Sequence, residues 1–370
     1  LNSSIYAGDE STINIAKALD NMVDNGKFSD DLKKVITNID LRSDINTIGG
    51  NIASLRPVSN NVYISDIHTT ATIYLDMLSQ NSSHAYLKTK DAEDPVLWIR
   101  NGFKIGNSRA ESLYSGNKQT TYFLMGGFDI LGLKLNESYF QLGVAGGFNV
   151  NDIKANDHLY DISSSGFNAA LYANYIANRF SLSLSSMYLA NVYDTTRNPL
   201  DSQVNSSRNV SEVVSNASVA YKATFNDNIF LQPSIFYTNG YIMAGNTSES
   251  GYAGFNIPSY TAMVHDSGAG ILLYTDFKDT NILQGSYSPY VDLKTFYRVY
   301  DVPNSNINFL NTTYDINIIG GTKNSMVIRP SVGIDYEKNS NVLGFKYTYE
   351  NSFHNYSNHQ FHLNYKLLLN

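Results

Sequence analysis

From about Leu97 to its end, the chain alternates with a period of two between an oily parity and a small or polar one, strand after strand. In "FQLGVAGGFNV", residues 140 to 150, the oily parity holds Phe140, Leu142, Val144, Phe148 and Val150, and the other holds Gln141, Gly143, Ala145, Gly147 and Asn149. Phe180, Leu182 and Leu184 stand against Ser181, Ser183 and Ser185. Val332, Ile334 and Tyr336 stand against Ser331, Gly333 and Asp335, and near the end Phe361, Leu363, Tyr365 and Leu367 against His362, Asn364 and Lys366. A strand presents successive side chains to opposite sides of its sheet, so one side here is apolar and the other meets water.

The connections decide which side is the inside. Strands read at 95–105, 118–131, 138–151, 163–175, 179–190, 213–225, 229–238, 263–277, 286–300, 326–337, 342–350 and 360–369 leave gaps of alternating length. Those after even-numbered strands are brief, as in "IAN" and "NSN". Most of those after odd-numbered strands are long and polar, as in "NVYDTTRNPLDSQVNSSRNVSE" and "TNGYIMAGNTSESGYAGFNIPSY". Short turns on one rim, long loops on the other and an even strand count describe an outer-membrane barrel. Hydrocarbon leaves no backbone group unpaired, so such a sheet closes, with its oily face in lipid and its small polar face lining a lumen. Tyr139, Tyr175, Phe180, Tyr188, Tyr221, Phe225, Tyr237, Tyr287 and Tyr336 fall near strand ends, where amphipathic rings favour the headgroup boundary. Prolines in "LQPSIFY", "YSPYVDL" and "IRPSVGIDY" are expected near strand starts, because proline cannot donate to a ladder.

Bulk properties agree. Of 370 residues, 42% are hydrophobic and 16% charged, too apolar for disorder, and the net charge of −7 lacks the basic stripe that nucleic acid requires. The absence of cysteine suits a chain that crosses an oxidising periplasm unfolded. No run approaches the ~18 apolar residues of a membrane helix. The chain opens on Leu1 without a charged-then-apolar leader, so an export signal is expected upstream.

The first eighty residues carry a helical period instead. Ile13, Ala16, Leu19 and Met22 recur on one side of "STINIAKALDNM", and Ser29 precedes "DDLKKVITNI", which places carboxylates in a first turn. A third helix over 62–80 aligns Ile64, Ile67, Ala71, Leu75 and Leu78, with Asp66, Thr69, Thr70, Thr72 and Asp76 on its other faces. About twenty residues of helix span about 30 Å, close to the thickness of a bilayer's hydrocarbon.

The order of these parts resembles the C-terminal translocator of a type V secreted autotransporter: "ALDNM…DDLKKVITNI…INTIGGNIASLRP", a polar helix, a Trp-bearing strand "VLWIRNGF", then "YFLMGGFDIL" and "YFQLGVAGGFN", with "IRPSVGIDY" late in the chain. The resemblance implies a twelve-stranded antiparallel outer-membrane β-barrel over 95–370, a helical linker and plug region over 1–80 whose last helix fills the pore, and a connection over 81–94. It further implies export and cell-surface anchoring of an N-terminal passenger, a barrel embedded in outer-membrane lipid, barrel-insertion machinery and periplasmic chaperones as assembly partners, and a monomer. One departure is the ending "YKLLLN", where family barrels close on an aromatic residue.

Within that frame Asp66, Thr69 and Asp76 are the helix's candidate contacts, and Lys222, Asp292, Lys294, Arg298, Arg329 and Asp335 are those of the lumen. Pairing of the wall charges among themselves, without touching the helix, is the competing expectation. No catalysis, cofactor or metal is expected. His359 and His362 point to opposite faces of a strand and cannot chelate together, with His354 in a loop, and "SGNK" at 115–118 is a surface loop lacking the helical geometry of a Ser-Lys pair. No local motif matches the linker cleavage that some family members perform. A stand-alone porin or an adhesin barrel is the alternative, although a porin has no use for a plug-length helix before its first strand.

Overall fold

The computed structural model describes residues 10–25, 30–39, 45–88, 96–110, 116–136, 138–226, 228–277, 285–312, 314–353 and 355–368. Twelve long strands follow one another: β1 (Val96–Ser108), β2 (Asn117–Leu135), β3 (Ser138–Ala155), β4 (Tyr160–Ala177), β5 (Phe180–Arg197), β6 (Val204–Tyr221), β7 (Ile229–Ala244), β8 (Tyr260–Thr275), β9 (Ser286–Val302), β10 (Gly321–Lys338), β11 (Asn341–Ser352) and β12 (Tyr356–Leu368). Each pairs antiparallel with its neighbours in the chain. The last closes on the first, from Val96 opposite Leu368 to Ser108 opposite Tyr356, so the sheet has no edge.

The oily parity faces out. Leu97, Phe148, Leu171, Val291, Val332 and Leu363 are 47–59% exposed, whereas Gln141, Asn149, Ser331 and His362 on the opposite parity are buried. A water-soluble protein of this size would not present so continuous an apolar surface, and a bilayer is the solvent that accepts it. Tyr139 departs from the aromatic belt, because it shares the lumenal parity of Gln141. Two-residue connections join β2 to β3, β4 to β5 and β10 to β11, and each contains an Asn in the left-handed region: Asn136, Asn178 and Asn339, at φ 53–54°. Asn tolerates that conformation better than other side-chain-bearing residues, and it lets two residues reverse a strand.

The strands run further than their apolar pattern. The segment 191–212, which reads as a loop, is mostly strand, with β5 continuing to Arg197 and β6 beginning at Val204. Beyond the hydrocarbon the outer face has no reason to be oily, so Asp194, Thr196, Asn205 and Ser207 keep the ladder while losing the alternation. Pro330 likewise lies in mid-strand and not near a start. The ladder from β10 to β11 passes from Ile328–Asn351 to Ser331–Thr348, leaving out Arg329 and Pro330, as a residue without an N–H requires.

Among the described residues four helices precede the barrel: α1 (Glu10–Asp24), α2 (Asp30–Asn38), α3 (Ile45–Ser54) and α4 (Asn60–Lys88). The first three lie at the long-loop rim. There the connections after β7 and β9 form a small antiparallel sheet from Thr247–Ser248, Phe255–Ile257, Ser305–Phe309 and Ile316–Ile318. Ile15, Leu19, Met22, Ile39 and Ile52 share one core with Phe255, Ile307 and Ile316 of that sheet. Only α4 runs through the barrel. It reaches Lys88, so residues 81–88 belong to the helix and not to the connection that follows. No helix among the described residues is long and apolar enough to cross a membrane; the strands do so.

Candidate functional site: the lumen around the central helix

α4 is polar for a helix that is buried from Asp66 to Leu78, with a mixed sequence and no strong apolar stripe. That suits its surroundings, since the wall offers hydrogen-bonding groups at every height. At the long-loop end, Asn60 accepts from Arg208 at 3.2 Å and donates to Ser305 at 2.8 Å, and Asn61 accepts from the Tyr300 hydroxyl at 2.7 Å. Arg208 also bonds the carbonyls of Gly245 and Pro258 and stacks over Tyr260, so the entry of the helix is fixed to both loop walls.

One turn further, Tyr63 meets Thr195 at 3.1 Å. Asp66 then accepts from Gln119, from Asn151 at 3.1 Å and from Tyr193 at 2.8 Å, with the Lys104 ammonium at 3.8 Å. These partners come from β1, β2, β3 and β5. Thr69, 3% exposed, packs at this level and its carbonyl accepts from Thr72.

His68 points the other way. Its Nδ1 lies 2.6 Å from Glu212 of β6 and its Nε2 3.3 Å from Asp266 of β8. Both acceptors are carboxylates, so a ring that serves both donates from each nitrogen. Gly240 makes the space: a Cβ there would sit 2.1 Å from the Glu212 carboxylate and 3.1 Å from the imidazole. Asp266 is held in turn by both arms of Arg298, at 2.8 and 2.7 Å, and Arg298 bonds the Tyr356 hydroxyl, which donates to Glu350 at 2.7 Å. Arg329 completes this chain on Glu350 and reaches Thr72 of the helix at 3.4 Å.

Near the short-turn end, Tyr74 donates to the Phe148 carbonyl at 2.7 Å, and Asp76 accepts from Lys294 of β9 at 2.5 Å and from Lys346 of β11. Asp292 lies 3.7 Å from the same Lys294. Burial forbids these charges to stand alone, and each has found its complement. Beside α4 on this side a cavity of about 120 Å³ is bounded by Ser79, Ser183, Ser218 and Ser234. The opposite wall is filled by Asp129, which accepts from Tyr172 and Gln141, both at 2.5 Å, while Trp98 donates to Tyr172 at 3.0 Å.

The wall charges divide between the helix and one another. Asp76 with Lys294, and Thr72 with Arg329, join helix to wall, whereas Arg298 pairs within the wall with Asp266, its register partner on the neighbouring strand β8. Asp335 is buried on the lumenal face, opposite Ser288 and Gly344 in register. Lys222 sits at the short-turn rim, 4.4 Å over the Phe230 ring. Sequence reasoning misses Lys346, Glu350, Glu212 and His68. The first two stand on the polar parity of "LGFKYTYE" and follow from the alternation already used, while Glu212 is hidden by the reading of its segment as a loop. His359 leans on outward Tyr347 and Tyr349 while His362 is buried inside, and His354 and Ser115 lie outside the described residues, as does the chain's last pair, Leu369 and Asn370. Among the described residues no cluster of His, Asp or Glu is arranged to hold a metal ion.

The fold is shared with solved barrels of low sequence identity. The translocator domain of the autotransporter NalP from Neisseria meningitidis superposes with a TM-score of 0.62 at 14% identity, covering 84% of this chain and 100% of that one. The β domain of the Bordetella autotransporter BrkA gives 0.57 at 13% identity over 75% and 100% of the two chains. The transport unit of AIDA-I from Escherichia coli gives 0.54 at 11% over 78% and 96%. A search of curated proteins finds no match. The autotransporter beta-domain family matches residues 97–350, most of the chain and nearly all of the barrel. The chain thus belongs to the autotransporter β-domain family, and its closed barrel is an outer-membrane translocator module for passenger export.

Proposed function

We propose that α4 is the retained end of an exported polypeptide, threaded with its N-terminus toward the cell surface, and that the lumenal groups hold it in one register after export. The observation that carries this reading is the matching of each charged residue on the described faces of α4 to its own wall site: Asp66 to the Gln119, Asn151 and Tyr193 donors, His68 to Glu212 and Asp266, and Asp76 to Lys294 and Lys346. A shift by one residue rotates a helix by about 100° and turns all three away from their partners. Wall charges that serve the helix and wall charges that serve one another divide the work, with Arg298 orienting Asp266 for His68. The module acts without catalysis: it conducts, then seals and anchors. Barrel-insertion machinery and periplasmic chaperones are the assembly partners, and one chain suffices to build the pore.

The test is surface display. With a reporter passenger fused upstream, intact cells should expose the reporter to added protease while the barrel stays protected in the outer membrane. A reporter that remains in the periplasm while the barrel folds normally would contradict the reading.

A further inference from the structure

The helices outside the pore cannot be explained as a plug. α2 and α3 have 9 and 10 residues, and α1, with 15, stands at the edge of the length of about 12–15 residues below which isolated helices are marginal in water because nucleation is costly. The small loop sheet has strands of two to five residues and is no more able to stand alone. Each covers the other. Ile15, Leu19 and Met22 of α1 are fully buried in one cluster with Phe255, Ile307 and Phe309 of the loops. Polar groups stitch the seam: Asn14 donates to the Asn317 carbonyl at 2.8 Å, the Ile319 amide to the Ser11 hydroxyl at 3.2 Å, and Asn38 to the Tyr252 hydroxyl at 2.9 Å. Where the chain turns into the pore, Arg197 donates to the Arg56 carbonyl at 2.9 Å while Glu249 holds its guanidinium from the other side.

Among the described residues this surface exists on one rim only. On the opposite rim the connections at Asn136, Asn178 and Asn339 span only two residues each, too few to build a sheet with an apolar face. A segment leaving the pore thus finds the partner it needs for folding on the outside. We propose that the loop sheet over 245–259 and 303–320 is an exit dock: it binds the exported amphipathic segment 10–55, which folds upon it, and the coupled folding and binding keep the exported chain from sliding back. This inference rests on the translocator reading.

The test uses the full chain carrying a reporter passenger upstream and follows by pulse–chase the arrival of the reporter at the cell surface. One variant charges the dock (Ile307→Asp with Phe309→Asp), and a second charges the ligand (Leu19→Asp with Met22→Asp). The second lies outside the barrel, so it carries the test if the first fails to insert. Release of the helices is verified by chymotrypsin at Leu55, which is fully buried when docked. Both variants should display the reporter several-fold more slowly than the parent, with an unchanged folded-barrel band, and the combined variant should be no slower than either alone, because both break one interface. Parental display rates with Leu55 newly cleavable overturn the dock and leave the translocator reading standing. Failure of the unsubstituted chain to display the reporter is instead the failure of that reading.

Discussion

Replacing Asp76 with Asn should unlock the helix. The carboxylate serves two ammonium groups, and its side chain is 8% exposed, that of Lys346 5% and that of Lys294 20%. Removing one partner of a buried ion pair costs about 3–5 kcal/mol, mostly because the other charge is left without compensation. Here two cations lose their common partner, which pushes the cost up, while the adjacent cavity and the partial exposure of Lys294 admit water, and nearby Asp292 takes part of its charge, which pushes it down. The lower end, about 3 kcal/mol, is the working value, and at 1.4 kcal/mol per tenfold it raises the unseated population of α4 roughly 150-fold. Single-channel recording in planar bilayers reads this directly as the fraction of time spent in a high-current state. Neutralising Lys346 as well, in Asp76→Asn with Lys346→Gln, should recover part of the loss, since an unpaired buried cation is removed. An Asp76→Asn protein with the parental open fraction would refute the reasoning, because it would mean that the pair contributes nothing to seating.

Three further outcomes follow from the same structure. His68→Gln retains one donor for the two carboxylates, so seating should weaken by about 1–3 kcal/mol, seen as more frequent openings in the same recordings without loss of folded barrel on a gel. Val332→Lys, on the lipid face, should lower barrel stability by about 2–4 kcal/mol in denaturant titrations in bilayers, whereas Ser183→Lys, on the lumenal face beside the cavity, should stay within about 1 kcal/mol. Gly143→Ala places a Cβ 2.2 Å from the Tyr172 ring, which also holds Trp98 and Asp129, so the ring must shift and the barrel should lose about 1–3 kcal/mol by the same titration.

What the sequence made legible follows from where physics repeats. Alternation is imposed on every strand by the same solvent, so Leu142, Val332 and Leu363 gave away the outward face and Lys294 and Arg329 the inward one. Above the membrane that constraint ends, and the upper parts of β5 and β6, with Glu212 among them, read as loop although their ladders continue. Parity says that a residue faces the lumen but not at which height or azimuth. Lys294 therefore meets the helix, while Arg298 on the same strand goes to a carboxylate of the wall. The helix itself was visible from Ile64 to Leu78, but its run to Lys88 was not, because its faces carry no strong apolar stripe to mark an end. The docking of α1–α3 was beyond reach, since it depends on short loop strands such as Phe255–Ile257 that carry too few residues to show a period.

The placement of the helix inside a cylinder whose exterior is lipid can be tested most directly by zero-length chemistry on the native chain in outer membranes. A carbodiimide joins a carboxylate to an amine only where they touch. Peptide mapping should find Asp76 linked to Lys294 or Lys346, residues more than 200 positions apart in sequence, alongside the exposed pair Asp152 and Lys154 at 3.5 Å as a control for reagent. Recovery of the control link alone would place α4 elsewhere and contradict the account.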